Sequence, residues 1–216
     1  MPVILNKIID TSTRLAVWKI EETEEELLRG LQLKAHELDF IASLNNGKRL
    51  LHWLSTRLLL RTMLQTNDYI DSAMDDQGKP YLVNGDYHIS FSHSFDYASV
   101  MISKDKHVGV DIELIKEKVY RIRKKFLTTT ELDGLHDEND TLALYICWCA
   151  KEAIYKWYGK KGLEFRKHIH IFPFQPADEG LVKAKAILPT GEVMLEVKYF
   201  KFEDHYMLGY VAEALS

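Results

Sequence analysis

The residues with the most chemistry to offer fall in two short runs. In Val108-Gly109-Val110-Asp111-Ile112-Glu113-Leu114, the alternation of a β-strand places the four apolar residues on one face and Gly109, Asp111 and Glu113 on the other. The two carboxylates then stand about 6.6 Å apart along the strand, at ~3.3 Å per residue, beside a glycine that leaves room. Carboxylates this close repel unless water or a cation screens them. Magnesium takes oxygen ligands, commonly one or two carboxylates together with substrate phosphates. In Trp148-Cys149-Ala150-Lys151-Glu152-Ala153-Ile154-Tyr155-Lys156, helical geometry stacks Trp148, Glu152 and Lys156 on one face. Each run also has an ordinary reading: a half-exposed strand with an acidic outer face, and a surface Glu–Lys pair at i,i+4. The apolar company of the helix (Leu144, Ile146, Ile154, Tyr155, Trp157) argues for burial on more than one side. A buried Glu152 facing the acidic strand would again require a cation.

Two further groups could meet an anion. Lys79 sits in Gly78-Lys79-Pro80, and a residue before proline is extended, so its side chain is held out from a rigid turn and can reach a phosphate. Its ordinary reading is a solvated turn lysine. His93 is expected at a strand corner among Ser90, Ser92 and Ser94, where the plain alternative is a hydrogen-bonded structural imidazole.

The elements that must position these residues follow from pattern. A strand is expected over 14–20, and Thr23 with Glu26 forms a capping box that opens a helix through Gly30. Helical periodicity covers 49–64, with Leu50, Leu51, Leu54 and Leu58 on one side. A turn cluster at 75–80 precedes strands at 88–92 and 97–103, then the acidic strand at 108–114. Thr128 and Glu131 make a second capping box. The longest helical pattern, 142–158, stops at Gly159-Lys160-Lys161-Gly162, and strands are expected near 168–172, 181–188, 192–202 and 205–212. Each half thus reads as long helix, Gly-Lys turn, then short strands. This predicts an α+β fold made by duplication of one unit, a small antiparallel sheet plus a long helix, with a break near residue 108. The expected lobes are 1–108 and 109–216, the second carrying the acidic metal site.

The chain has 216 residues, 46% hydrophobic and 28% charged, with a net charge of −4, which argues against a dedicated nucleic-acid binder. Any polyanion must be met locally, and Arg121, Arg123, Lys124 and Lys125 form one basic strip. No run approaches the ~18 apolar residues of a membrane span, so a cytoplasmic protein is expected. Cys147 and Cys149, two apart on a helix, diverge by about 200° and suit neither a disulfide nor a metal clip.

Taken in order, Gly78-Lys79-Pro80, Ser92-His93-Ser94, Gly109 to Glu113 and Trp148 to Lys156 resemble the 4′-phosphopantetheinyl transferases, specifically the two-lobed, surfactin-synthetase-activating type. The resemblance implies a pseudo-twofold α+β fold with the ligand cleft between the lobes, and a holo-carrier-protein synthase: with Mg2+, the phosphopantetheine arm of coenzyme A, the co-substrate, moves to a serine of an acyl or peptidyl carrier protein, and adenosine 3′,5′-bisphosphate leaves. Carried over, Asp111, Glu113 and Glu152 hold the metal against the diphosphate, with Asp111 also counted in the coenzyme site. Glu152 is the base for the incoming serine, and Lys156 neutralises the phosphate under attack. Lys79 and His93 grip the 3′-phosphate end. The family's arginine on the first long helix falls nearest His52, and Arg49, about a turn earlier, is the expected contact. Glu131 matches a recurrent family acid, but its capping box accounts for it. A monomer is expected that binds neither nucleic acid nor membrane. The alternatives are a magnesium-dependent phosphodiesterase, which the same carboxylates would suit, and a non-catalytic coenzyme A-binding module.

Overall fold

β-branched and aromatic residues favour β-structure in the first segment. The computed structural model, which describes residues 3–44 and 47–214, begins with β1 (Val3–Ile8) and β2 (Thr13–Lys19). Helices α1 (Glu24–Arg29), α2 (Ala35–Ser43) and α3 (Lys48–Leu64) follow, then β3 (Ser72–Met74), β4 (Pro80–Leu82), β5 (His88–Ser94) and β6 (Tyr97–Ser103). The second half opens on β7 (His107–Leu114) and a 3-10 turn (Glu117–Ile122). It continues through α4 (Arg123–Phe126), α5 (Thr129–Asp133), α6 (Thr141–Tyr158) and α7 (Phe165–His168). Strands β8 (Ile169–Ile171), β9 (Glu179–Leu188), β10 (Gly191–Phe202) and β11 (Tyr206–Glu213) complete it.

Both sheets are antiparallel, with strand orders β1-β2-β6-β5-β4-β3 and β7-β11-β10-β9-β8. Setting β1 aside, the two orders are one order. β2 corresponds to β7, α3 to α6, and β3 to β6 correspond in turn to β8 to β11. The duplicated α+β unit expected from element order is therefore present in the strand topology.

Local chemistry accounts for the ends of these elements. Both capping boxes form, Thr23 with Glu26 and Thr128 with Glu131, and the Asp140 carboxylate caps α6 through the Leu142 and Ala143 amides. Helix α6 stops where Gly159 takes a left-handed conformation at φ 68°. The β10–β11 hairpin turns through Glu203, Asp204 and His205, the first two at positive φ. One expectation is corrected: His93 and Ser94 belong to strand β5, and the corner is Phe95-Asp96.

Three apolar cores hold the molecule. The first lobe buries Trp18, Leu54, Leu59 and Ile102 between α3 and its sheet. The second buries Ile146, Ile154, Trp157 and Val197 around α6, together with both cysteines. The third lies between the lobes, where Val108, Val110 and Ile112 of β7 meet Leu15, Val17 and Met101. Full burial of such side chains stabilises by about 1.5–3 kcal/mol each. The lobes are therefore welded by a core of their own.

Gly109 corrects a second expectation. A Cβ at this position would stand 1.9 Å from the Ala153 carbonyl and 2.6 Å from the Trp157 amide, so the room it leaves is filled by the backbone of α6. The glycine serves close helix–strand packing.

Candidate functional site

A cavity of about 710 Å³ opens between the lobes, in the range of small-molecule sites. Its first-lobe wall includes Arg49, His52, Arg57, Lys79 and His93, and its second-lobe wall includes Asp111, Glu113, Glu152 and Lys156. Every residue expected at the site therefore borders one space.

On the second-lobe wall, Asp111 is only 4% exposed, which excludes the half-exposed acidic strand. Its Oδ1 accepts from Lys156 Nζ at 2.7 Å and Ser92 Oγ at 2.8 Å, while Oδ2 is buried with no partner among the described residues. Lys156 also donates to the Val110 carbonyl at 3.0 Å, so it turns to β7 rather than forming the i,i+4 surface pair with Glu152. Burial, then the Asp111 charge, pushes the Glu152 carboxyl up to about 7. The same two causes raise Glu113, against the pull of hydrogen bonds from Ser94 and Trp148. Crowded carboxylates that resist ionisation mark a place where a cation would be welcome. Among the described residues no three His, Cys, Asp or Glu side chains converge tightly enough to hold a metal by themselves. The orphaned Asp111 oxygen and its acidic neighbours fit a hard cation that draws its remaining ligands from phosphate and water.

The first-lobe wall is cationic and partly desolvated. Lys79 Nζ donates to the Trp157 carbonyl at the end of α6, at 2.7 Å, and to His107 Nδ1 at 3.4 Å. Burial pulls its ammonium down to about 8. Gly159 makes this reach possible, because a Cβ there would stand 2.0 Å from the Lys79 stem. His93 stacks on His52 with centroids 4.1 Å apart, and burial followed by the His52, Lys156 and Arg57 charges lowers it to about 4. His52 is itself fixed by donating from Nε2 to the Phe95 carbonyl at 2.7 Å. Arg49 lines the cavity from an exposed position on the first turn of α3.

Arg57 is the group that sequence reasoning missed. Its guanidinium lies 4.7 Å from the Trp53 ring and 4.6 Å from the Phe91 ring, its Nε is buried with no partner among the described residues, and burial lowers it to about 10. Trp53 four residues earlier was a signal available in the sequence, since i and i+4 share a helix face. Phe91, from another strand, was not.

Glu131 and Lys151 lie apart from this cavity. They form a buried pair at 2.7 Å, Lys151 also donates to the Ile169 carbonyl at 2.6 Å, and Glu131 accepts from the Ile171 amide. The pair ties α6 to β8 and supplies no group to the cavity.

Comparison with known proteins bears on the same residues. The sequence model of the 4′-phosphopantetheinyl transferase superfamily matches residues 107–211. A 4′-phosphopantetheinyl transferase of Bacillus subtilis is 29% identical over 147 residues, 66% of this chain and 63% of the relative. The 4′-phosphopantetheinyl transferase AcpT of Salmonella typhimurium is 28% identical over 129 residues, 55% of this chain and 64% of the relative. AcpT of Escherichia coli O157:H7 is 30% identical over 122 residues, 52% and 60%. The chain spans less than two thirds of the length of the curated relatives it matches. The matched segment contains both the β7 carboxylates and the α6 glutamate and lysine that meet in the cavity, so the likeness to the 4′-phosphopantetheinyl transferase superfamily covers the acidic wall of the site.

Proposed function

We propose that this protein transfers the 4′-phosphopantetheine arm of coenzyme A to a serine hydroxyl of an acyl or peptidyl carrier protein. The observation that carries the reading is one cavity with cations on the first-lobe wall and the carboxylates, with Lys156, on the second, each wall holding a buried charged group with an atom that has no partner among the described residues, Arg57 Nε and Asp111 Oδ2. Coenzyme A has the matching parts: a 3′-phosphate and a diphosphate for the cations, and phosphate oxygens that share a metal with the carboxylates. Two copies of the unit in one chain favour the two-lobed, surfactin-synthetase-activating class, with lobes near 1–108 and 109–216.

In this reading Lys79, His93, Arg57 and Arg49 receive the anionic nucleotide end. Asp111, Glu113 and Glu152 would hold Mg2+, which when bound supplies charge neutralisation at the diphosphate. Glu152, held near neutrality by burial, is poised to take the proton of the incoming serine. The serine oxygen forms a bond to the β-phosphorus as the bond to the bridging oxygen breaks, and adenosine 3′,5′-bisphosphate departs. Lys156 stays beside Asp111 and offsets charge on the phosphate under attack. Positioning and electrostatics supply most of such catalysis.

The acceptor is taken to be acidic, because Lys124 and Lys125 stand exposed on α4 while the neighbouring Arg123 is occupied by Glu138 at 3.1 Å. No helix of the described residues is long and apolar enough to cross a membrane, and we place the reaction in the cytoplasm as a transient encounter between a monomer and its carrier. Purified protein, magnesium and coenzyme A should add about 340 Da to an apo-carrier protein, the mass of the transferred group in this phosphoryl-transfer scheme. No mass gain across a panel of carriers overturns the reading. Cleavage of coenzyme A with no acceptor would point to the phosphodiesterase.

A further inference from the structure

The joint between the lobes is also the support of the acidic site. Strand β7 pairs with β11 on one side only, and such an edge leaves a row of backbone amides to be satisfied. Here three serine hydroxyls of β5 do so. Ser90 Oγ accepts from the Val110 amide at 3.1 Å, Ser92 Oγ from Ile112 at 3.2 Å and Ser94 Oγ from Leu114 at 3.0 Å. A hydroxyl that accepts one bond still has its proton to give. Ser92 gives it to Asp111 Oδ1 at 2.8 Å and Ser94 to Glu113 Oε2 at 3.1 Å. Ser90 meets no carboxylate among the described residues.

We propose that Ser92 and Ser94 are positioning residues that couple closure of the two lobes to the orientation of the Asp111 and Glu113 carboxylates, with Ser90 serving closure alone. The geometry supports a shared duty because each hydroxyl has one fixed donor, a backbone amide of β7, and this sets the direction of its own O–H. The Ser92 bond and the Lys156 ion pair converge on the same Asp111 oxygen, so Oδ2 is the one without a partner among the described residues. Without the hydroxyl the carboxylate can rotate and exchange its oxygens. The role rests on the reading of Asp111 and Glu113 as metal-side carboxylates, and groups that orient metal ligands typically change affinity by 10–100-fold when removed.

The three serines provide their own control. Mn2+ is titrated in the presence of coenzyme A, with free ion read by electron paramagnetic resonance, and the thermal midpoint is measured for wild type, Ser90→Ala, Ser92→Ala and Ser94→Ala. All three variants are expected to lose thermal stability to a similar extent, since each leaves one buried amide unpaired. Ser92→Ala and Ser94→Ala are expected to bind Mn2+ at least about tenfold more weakly, while Ser90→Ala stays within about threefold of wild type. Ser92→Thr, which keeps the hydroxyl, should recover most of the affinity. Equal weakening in Ser90→Ala, or none in Ser92→Ala and Ser94→Ala, overturns the positioning role while leaving the proposed activity standing. Should Ser92→Ala not fold, Ser94→Ala gives the same decision for Glu113. A wild type that binds no Mn2+ removes the metal reading itself, and the role falls with it.

Discussion

In the first lobe, Ala16 and Trp18 of β2 face α3 as part of its apolar core. At the corresponding place in the second lobe, Gly109, Asp111 and Glu113 of β7 face α6. One strand fills the space beneath its helix with an indole. The other withdraws its side chain at Gly109, lets the helix settle onto the backbone, and sets carboxylates beside it. The consequence runs through the cavity, where the first lobe presents Arg57, Lys79 and His93 and the second presents the acids. Duplication supplied one frame twice, and the site depends on the two copies having become chemically opposite. The second lobe by itself would keep its acids and Lys156 but lack the cationic wall, and among the described residues the first lobe puts no carboxylate on the cavity.

The sharpest way to break this contrast is at the acidic wall. Glu152→Gln removes a charge and a proton acceptor at nearly constant volume, and transfer measured as carrier mass gain should fall by roughly 10²–10⁴-fold, the usual worth of a general base. Circular dichroism should be unchanged. Normal transfer by this variant would end the assignment of Glu152.

Next in size is the packing that makes room for those acids. Gly109→Ala drives a methyl into backbone atoms of α6 that cannot rotate away, so urea unfolding should show a loss of about 3 kcal/mol, at the upper end for overpacking. A loss under about 1 kcal/mol would mean that α6 yields easily and that the close approach is incidental. On the cationic wall, Arg57→Gln should raise the KM for coenzyme A by roughly 10–100-fold, as loss of a charged hydrogen bond implies. The kcat should stay within about threefold, because uniform binding is what is removed. An unchanged KM would place Arg57 among the structural cations between Trp53 and Phe91.

How much of this was legible in the sequence depended on how local each feature is. Strand β7 and helix α6 were readable because alternation and 3.6-residue periodicity are properties of a single run, and both capping boxes because their partners are three residues apart. Helix α2 was not read: Leu38 and Phe40 are exposed on it, so its apolar residues do not trace one buried stripe, and its N-cap Lys34 makes no side-chain cap bond. Strand β1 was passed over because Ile4 and Ile8 face outward at a sheet edge. At the site, the acids and Lys156 could be named from spacing. The unpaired state of Asp111 Oδ2, the sandwich around Arg57 and the serine ladder are contacts between segments, invisible to any pattern along one of them. Gly109 was noticed for the wrong reason, since its neighbour across space is a helix backbone more than forty residues away.

The smallest expected effect tests the contrast in its purest form, as stability against pH. Burial and the Asp111 charge raise Glu152 from 4.5 to about 7, so folding favours the protonated form. Below pH 4.5 the side chain is neutral in both folded and unfolded chains and contributes nothing. As pH rises from 4.5 through 7 the unfolded chain ionises first, and stability is lost across that window. Glu152→Gln should therefore be more stable than wild type at pH 8, by about 1–2 kcal/mol once residual solvent screening is allowed for, and equal to it at pH 4. For a chain of this size that corresponds to a rise of about 2–8 °C in Tm at pH 8. Magnesium with coenzyme A should recover the same margin in the wild type by supplying the missing positive charge, and should do less for the variant. No such cost accompanies Trp18 at the corresponding place in the first lobe, because an indole carries no charge to desolvate. A Glu152→Gln protein no more stable than wild type at pH 8 would mean that solvent or Lys156 already neutralises Glu152, and the acidic wall would not be the strained member of the pair.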